Sequence, residues 1–282
     1  MSTGGRLFVW FQYLLPQHAL SRLVLAATRV RAEWFKNLLI GGFLKLYRVD
    51  MTEAVENDPY RYGSFNEFFT RALKDGARPI ALEAQAIASP VDGCVSAVGT
   101  IDSGQLLQAK GRYYRLAELL AEQPWASRFE GGSFATIYLA PFNYHRVHMP
   151  LRGVLRETVY VPGRLFSVNA VTVQYVPSLF ARNERVLTLF DAAFGQFALV
   201  LVGALNVGSI ATVWAGDIAP GSRRVITRLP APAMMLEKGA ELGRFNMGST
   251  VILLFERKRA RWRSEVRADS AVRIGQSLGI IE

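Results

Sequence analysis

Cysteine occurs once in the 282 residues, at Cys94. That excludes an intrachain disulfide framework and any zinc site built on several thiolates, and it fits a reducing compartment. Histidine is nearly as scarce, with three in the chain, so imidazole chemistry is confined to very few places. No apolar run approaches the roughly 20 residues that a helix needs to cross a bilayer. Internal repeats and low-complexity linkers are missing too, which excludes solenoid and array architectures.

What the chain has in excess is positive charge, a net +10, and apolar residues, which make up half of it. Seven cations (Arg6, Arg22, Arg29, Arg31, Lys36, Lys45, Arg48) fall in residues 1–50 against Glu33 and Asp50. Half of the excess charge therefore sits in the first fifth of the chain and points to a polyanionic partner, nucleic acid or an anionic lipid surface. Between those cations lie Leu7-Phe8-Val9-Trp10-Phe11, Leu14-Leu15, Leu23-Val24-Leu25 and Trp34-Phe35. Apolar and aromatic residues interleaved with Arg and Lys at helical spacing suggest helices lying in a membrane interface. Pro16 should separate a first short helix from a second over about residues 19–30. Helices packed on a core, and for residues 1–20 a cleaved signal segment, are the competing readings. No nucleic-acid motif is present, so no nucleic-acid partner is expected.

Ser64-Phe65-Asn66-Glu67 reads as a capping box opening a helix from Phe65 to about Leu73. A further helix is expected over residues 115–122. Beyond it, residues 134–139, 154–161, 185–190, 197–202, 210–214 and 250–255 are β-branched or aromatic, with Gly and Pro between them. Strands do not alternate with long helices, which argues against a doubly wound parallel sheet. The fold class read here is α+β: amphipathic membrane-surface helices over residues 1–62, then a mostly antiparallel β-rich catalytic domain over residues 63–282.

Three places could carry chemistry. Two histidines fall in Tyr144-His145-Arg146-Val147-His148-Met149-Pro150, bracketed by Pro141 and Pro150, where a loop or short turn is expected. They suit acid–base work or structural hydrogen bonding; a metal is not expected, because no acidic or cysteine partner stands at ligand spacing. Asp92, in Ser89-Pro90-Val91-Asp92-Gly93-Cys94, reads by itself as a turn residue, and gains a role only if the fold carries it to a histidine. Gly248-Ser249-Thr250 runs directly into Val251-Ile252-Leu253-Leu254-Phe255. The plain reading is a tight turn entering a strand, although a glycine before a serine leaves its carbonyl open to attack.

Together these segments resemble the bacterial phosphatidylserine decarboxylases, of the prokaryotic type I-like group. The likeness runs from Phe65-Asn66-Glu67-Phe68-Phe69-Thr70-Arg71 through Ser89–Gly93, Gln108–Gly111 and Tyr144–Pro150. It continues through Val161-Pro162-Gly163, Leu165–Asn169, Leu179–Val186 and Val213–Gly216 to Gly243-Arg244-Phe245 and Gly248-Ser249-Thr250. It covers nearly the whole chain in one order. Met247 stands where leucine is usual, and Asn143 where some relatives carry aspartate.

The resemblance implies a pyruvoyl-dependent enzyme that turns phosphatidylserine into phosphatidylethanolamine and carbon dioxide. The substrate amine would form an imine with a covalent pyruvoyl group. That group would derive from Ser249 by autocatalytic serinolysis at Gly248-Ser249, giving a β chain (residues 1–248) and an α chain (residues 249–282) that stay together. The family's processing triad falls on Asp92, His148 and Ser249, and its substrate-handling histidine on His145. The expected place is the cytoplasmic face of the cell membrane, held peripherally on an anionic surface; a homodimer is left open. An uncut serine hydrolase with the same triad, a pyruvoyl enzyme for a soluble amino acid, and a non-enzymatic membrane-binding module are the rivals.

Overall fold

The computed structural model describes residues 3–109, 111–205, 209–218, 224–228, 234–247 and 249–282; Gly248 lies outside the described residues. Helices come first: α1 (Thr3–Leu14), α2 (Gln17–Thr28), α3 (Glu33–Leu46) and α4 (Phe65–Phe69). Pro16 divides α1 from α2 as expected, since a ring at that position fits a helix entrance and not a helix interior. Half of the capping box forms: Ser64 Oγ accepts from Glu67 N–H at 3.2 Å. The reciprocal arm differs, because the Glu67 carboxylate takes the Gly63 N–H at 3.0 Å. α4 also ends four residues short of the expected Leu73. The anticipated 115–122 helix shrinks to α5 (Leu116–Leu119), followed by left-handed backbone at Ala121 and Glu122. Two more short helices, α6 (Ala170–Tyr175) and α7 (Leu179–Arg182), complete the set among the described residues.

The rest is antiparallel sheet, as the α+β reading anticipates. The main sheet runs β12 (Val225–Arg228), β7 (Gly153–Val161), β8 (Arg185–Ala192), β9 (Gly195–Val202), β15 (Ser249–Phe255), β5 (Ser133–Leu139), β2 (Gly93–Thr100) and β17 (Ala271–Val272). A further strand, β13 (Met235–Leu236), pairs with β7. A second sheet orders β11 (Gly216–Ile218), β10 (Ile210–Thr212), β14 (Glu241–Phe245) and β6 (Arg146–His148). A third orders β1 (Ala86–Ala88), β18 (Ser277–Ile281) and β16 (Ala260–Trp262), and β3 (Gln105–Ala109) pairs with β4 (Arg112–Arg115). The continuous apolar run of β15 matches its place: every residue from Ser249 to Phe255 is buried between β5 and β9. A strand covered on both faces reads as a run rather than an alternation.

Several motif residues outside the chemistry act as latches. Asn183 donates to the carbonyls of Phe166 (2.8 Å) and Gly203 (2.9 Å) and accepts from Phe166 N–H. Gln108 spans α6 and α7 through the carbonyls of Val173 and Val176 and the Leu179 N–H. The amino-terminal helices are tied on in the same way. Gln12 and Gln17 accept from the backbone N–H groups of Ser167 (2.8 Å) and Leu165 (2.9 Å). α3 closes over α4 through an aromatic cluster of Phe43, Phe65, Phe68 and Phe69.

Candidate active site

Ser249 is the first residue of β15, paired with Leu139 of β5. The preceding strand, β14, belongs to the other sheet, so the chain passes from one sheet to the other between Phe245 and Ser249. Asn246 clamps this crossing. Its backbone N–H donates to Ser209 O (3.1 Å), and its Nδ2 donates to Ser209 Oγ and to Asp217 Oδ1 (3.0 Å). Its backbone O and Oδ1 in turn accept from Asn66 Nδ2 at 3.2 and 3.1 Å. Asp217 is also salt-bridged to Arg29, at the end of α2. Ser249 Oγ itself is buried and has no partner among the described residues.

The histidine segment lies alongside. His148 is the last residue of β6, opposite Glu241 of β14, and the carbonyl of His145 accepts from Phe245 N–H at 3.0 Å. His145 therefore lies near the crossing, whereas His148 is displaced along β14 away from it. Each ring has one nitrogen facing a carbonyl: His145 Nδ1 to Asn143 O at 2.8 Å, and His148 Nδ1 to Gly239 O at 2.7 Å. A carbonyl only accepts, so both Nδ1 atoms carry the proton and both Nε2 atoms present a lone pair. His145 Nε2 is buried without a partner, and His148 Nε2 has only the distant Tyr144 hydroxyl at 3.4 Å. Burial, against which the Asn143 carbonyl acts only in part, pushes His145 down to about 3. Burial also lowers His148, while it raises Tyr144 to about 12 and keeps that hydroxyl protonated. Both imidazoles are neutral near pH 7.

Asp92 corrects one expectation. Its turn does lie against β6, since Pro90 O accepts from His148 N–H at 2.8 Å. Its carboxylate, however, does not orient the His148 ring. It accepts from Arg78 through Nε (3.0 and 3.1 Å) and Nη2 (2.6 Å), and from Ile274 N–H at 2.9 Å. A planar guanidinium fork meets a carboxylate with two bonds and outcompetes a single imidazole N–H. Asp92 acts on His148 as a charge at greater distance. Gly93 is required next to it: a Cβ there would fall 2.4 Å from Tyr138 O.

A cavity of about 250 Å³ is bounded by Phe43, Tyr47, Phe69, Pro141, Met247 and Leu139, the strand partner of Ser249. Phe69 also packs on the His145 ring, with centroids 4.1 Å apart. Phe69 thus links this cavity to His145, and Leu139 links it to Ser249. A larger hollow of about 750 Å³ between residues 151–154 and 191–194 contains none of the candidate residues and is set aside on that ground. Among the described residues no cluster of three metal-ligating side chains occurs.

A family model described as phosphatidylserine decarboxylase matches residues 65–280, and a second, described as PSD, matches residues 7–48. The chain belongs to the phosphatidylserine decarboxylase family. A phosphatidylserine decarboxylase proenzyme of Pseudomonas aeruginosa (strain LESB58) is 54% identical over 285 residues, covering 99% of each chain. Proenzymes of the same name from Pseudomonas fluorescens (54%, 98% of this chain and 97% of the relative) and Methylococcus capsulatus (52%, 97% and 96%) are similar end to end. For a member of the phosphatidylserine decarboxylase family, the sequence singled out Asp92, His145, His148 and Ser249. It passed over Arg78, Tyr144 and Asn246. Tyr144 opens the histidine segment, and Asn246 directly follows Gly243-Arg244-Phe245; a polar residue three positions before Ser249 was the available signal.

Proposed function

We propose that this chain is the precursor of a phosphatidylserine decarboxylase that cleaves itself between Gly248 and Ser249 and makes phosphatidylethanolamine and carbon dioxide at the cytoplasmic membrane surface. One observation carries the reading: a buried serine hydroxyl with no partner among the described residues, at the head of the central strand, on the chain segment that follows β14, whose partner strand carries two neutral histidines with available Nε2 lone pairs.

In maturation, an imidazole Nε2 takes the Ser249 hydroxyl proton as Oγ attacks the Gly248 carbonyl, and an ester replaces the peptide bond. Loss of the Ser249 α-proton then expels the Gly248 carboxylate and leaves dehydroalanine. Addition of water releases ammonia and leaves a ketone at the new terminus. The site fits that outcome, because a buried Oγ without a partner loses no hydrogen bond when the hydroxyl is consumed. The pyruvoyl group would supply the electron sink that amino-acid decarboxylation requires. His145 is the candidate to carry a proton to the carbon that has lost carbon dioxide, and His148 is the alternative donor.

The resemblance assigns the cleavage step to His148, with Asp92 supporting it as a charge. The strand register favours a second reading, in which His145 also serves cleavage because it is nearer the crossing. Ser249→Ala and His148→Ala should each give one uncut band on a denaturing gel. His145→Ala should split normally but turn over about 100-fold or more slowly. An uncut His145→Ala with a normally split His148→Ala would transfer the cleavage role to His145. Borohydride reduction in the presence of substrate should label residues 249–282; absence of label in active protein would sink the ketone.

The membrane reading draws support from an inverted pattern in residues 1–62. α2 buries Gln17, Ser21 and Thr28 while Leu23 is exposed, and α3 buries Lys36 while Trp34 is 73% and Leu38 65% exposed. Apolar side chains turned outward, over polar ones turned inward, suit a lipid face. No described helix is long and apolar enough to cross a membrane.

A further inference from the structure

Arg71 follows α4 and is only 5% exposed, yet its guanidinium donates to no group among the described residues. Its Nε is buried without a partner, and the Phe68 ring lies 5.9 Å from its carbon. Three neighbouring arginines are engaged: Arg78 with Asp92 and Glu53, Arg273 with Glu53, Arg146 with Glu241. A guanidinium does not shed its proton in a protein, so an unpaired buried one is costly to keep. Arg71 borders a second cavity, of about 240 Å³, together with Arg48, Asn143 and Tyr144. Asn143 accepts from Ala140 N–H through Oδ1 at 2.8 Å, which leaves its Nδ2 as a donor.

The charges around this cavity are four arginines (Arg48, Arg71, Arg78, Arg273) and three carboxylates (Asp50, Glu53, Asp92). The carboxylates are committed, Glu53 and Asp92 to arginines and Asp50 to the N–H and hydroxyl of Thr52. One net positive charge remains, which suits a monoanion. Two chain segments connect this cavity to the one bounded by Leu139, the strand partner of Ser249. Phe69 and Pro141 line that first cavity, and Arg71 and Asn143, two residues further along each segment, line this one.

We propose that Arg71, with Asn143 Nδ2 beside it and Arg48 at the mouth, is the seat for the phosphodiester of the substrate head group. The proposal rests on the phosphatidylserine reading above. Of the two monoanions in that head group, the carboxylate is the poorer occupant. It becomes neutral carbon dioxide, so a cation gripping it would stabilise the ground state more than the transition state. A phosphodiester keeps its charge throughout and serves as a handle.

The test uses Arg71→Met, which removes the charge and keeps much of the volume, and Arg71→Lys. With split protein and phosphatidylserine vesicles, Arg71→Met should raise KM about tenfold or more with a much smaller effect on kcat, and Arg71→Lys should recover part of the loss. A second measurement needs no activity. Glycerophosphoserine, which has the phosphodiester and no acyl chains, should raise the Tm of the uncut Ser249→Ala chain and not of Ser249→Ala/Arg71→Met. That arm keeps its meaning if the decarboxylase reading fails. An unchanged KM, or equal protection of both uncut chains, would overturn the seat. Protection by inorganic phosphate equal to that by glycerophosphoserine, with KM unchanged, would make it a free-phosphate site and overturn the head-group assignment.

Discussion

Glu184 and His145 are both buried titratable groups, and burial displaces them in opposite directions relative to pH 7. Glu184, which accepts from the Tyr160 hydroxyl at 3.1 Å, is pushed up to about 7. Its folded form holds a proton that the unfolded form has released, so its contribution is full below about pH 4.5 and is lost as pH rises toward 7. His145, pushed down to about 3, behaves in the reverse sense. The unfolded chain protonates first, so stability is retained above about pH 6.5 and lost as pH falls toward 3. Glu184→Gln should therefore stabilise the protein at pH 8, by on the order of 1–3 kcal/mol, and leave it unchanged near pH 4.5. Thermal unfolding at the two pH values checks this; equal shifts at both would mean the carboxyl is not held neutral. At this scale the sequence was most informative about identity and least about partners. Asp92 stood out in its Pro/Gly frame, but the arginine that takes its carboxylate is 14 residues away, and no local spacing announces that pairing.

The element that matters most is the crossing from β14 to β15. A glycine before the proposed nucleophile leaves the attacked carbonyl open, and the clamp on Asn246 holds the chain shortly before it. Asn246→Ala deletes the side-chain bonds to Ser209 and Asp217 and one of the two from Asn66. Self-cleavage should slow by about tenfold to 100-fold while the fold survives, read as the time course of band splitting after denaturant refolding. Wild-type kinetics would show that Asn246 positions nothing. The long strands of the main sheet were legible, because β5, β7, β8, β9 and β15 are apolar over five or more residues. β2 was missed, since it mixes Gly, Ser and Thr, and β1, β17 and β18 were missed because two to five residues give no period. The His145–His148 stretch was expected as a loop. It became partly strand because β14 supplies a partner from almost 100 residues away, which is a tertiary effect.

Across the whole molecule, the amino-terminal helices expose apolar side chains, while the sheets would hold the two proposed chains as one body. Trp10, at 60% exposure, is open to solvent like Trp34 and Leu38; changing all three to Ser should cut co-sedimentation with anionic vesicles while leaving self-cleavage intact. Unaltered sedimentation would remove these helices from the anchoring role. Cleavage raises a second question, since nothing covalent would then retain residues 249–282. β15 lies between β5 and β9, β17 pairs with β2, and β18 pairs with β1, so the fragment supplies interior strands to two sheets. Its removal would expose a fully buried apolar strand and open two rows of backbone donors and acceptors. The halves should therefore co-elute in native size exclusion and separate only in denaturant. Unfolding of the split protein also becomes dissociation, so its Tm should rise with protein concentration while that of the uncut Ser249→Ala chain stays constant. A concentration-independent Tm in fully split protein would mean that the two chains unfold in place without parting, and the sheet alone would not account for their union.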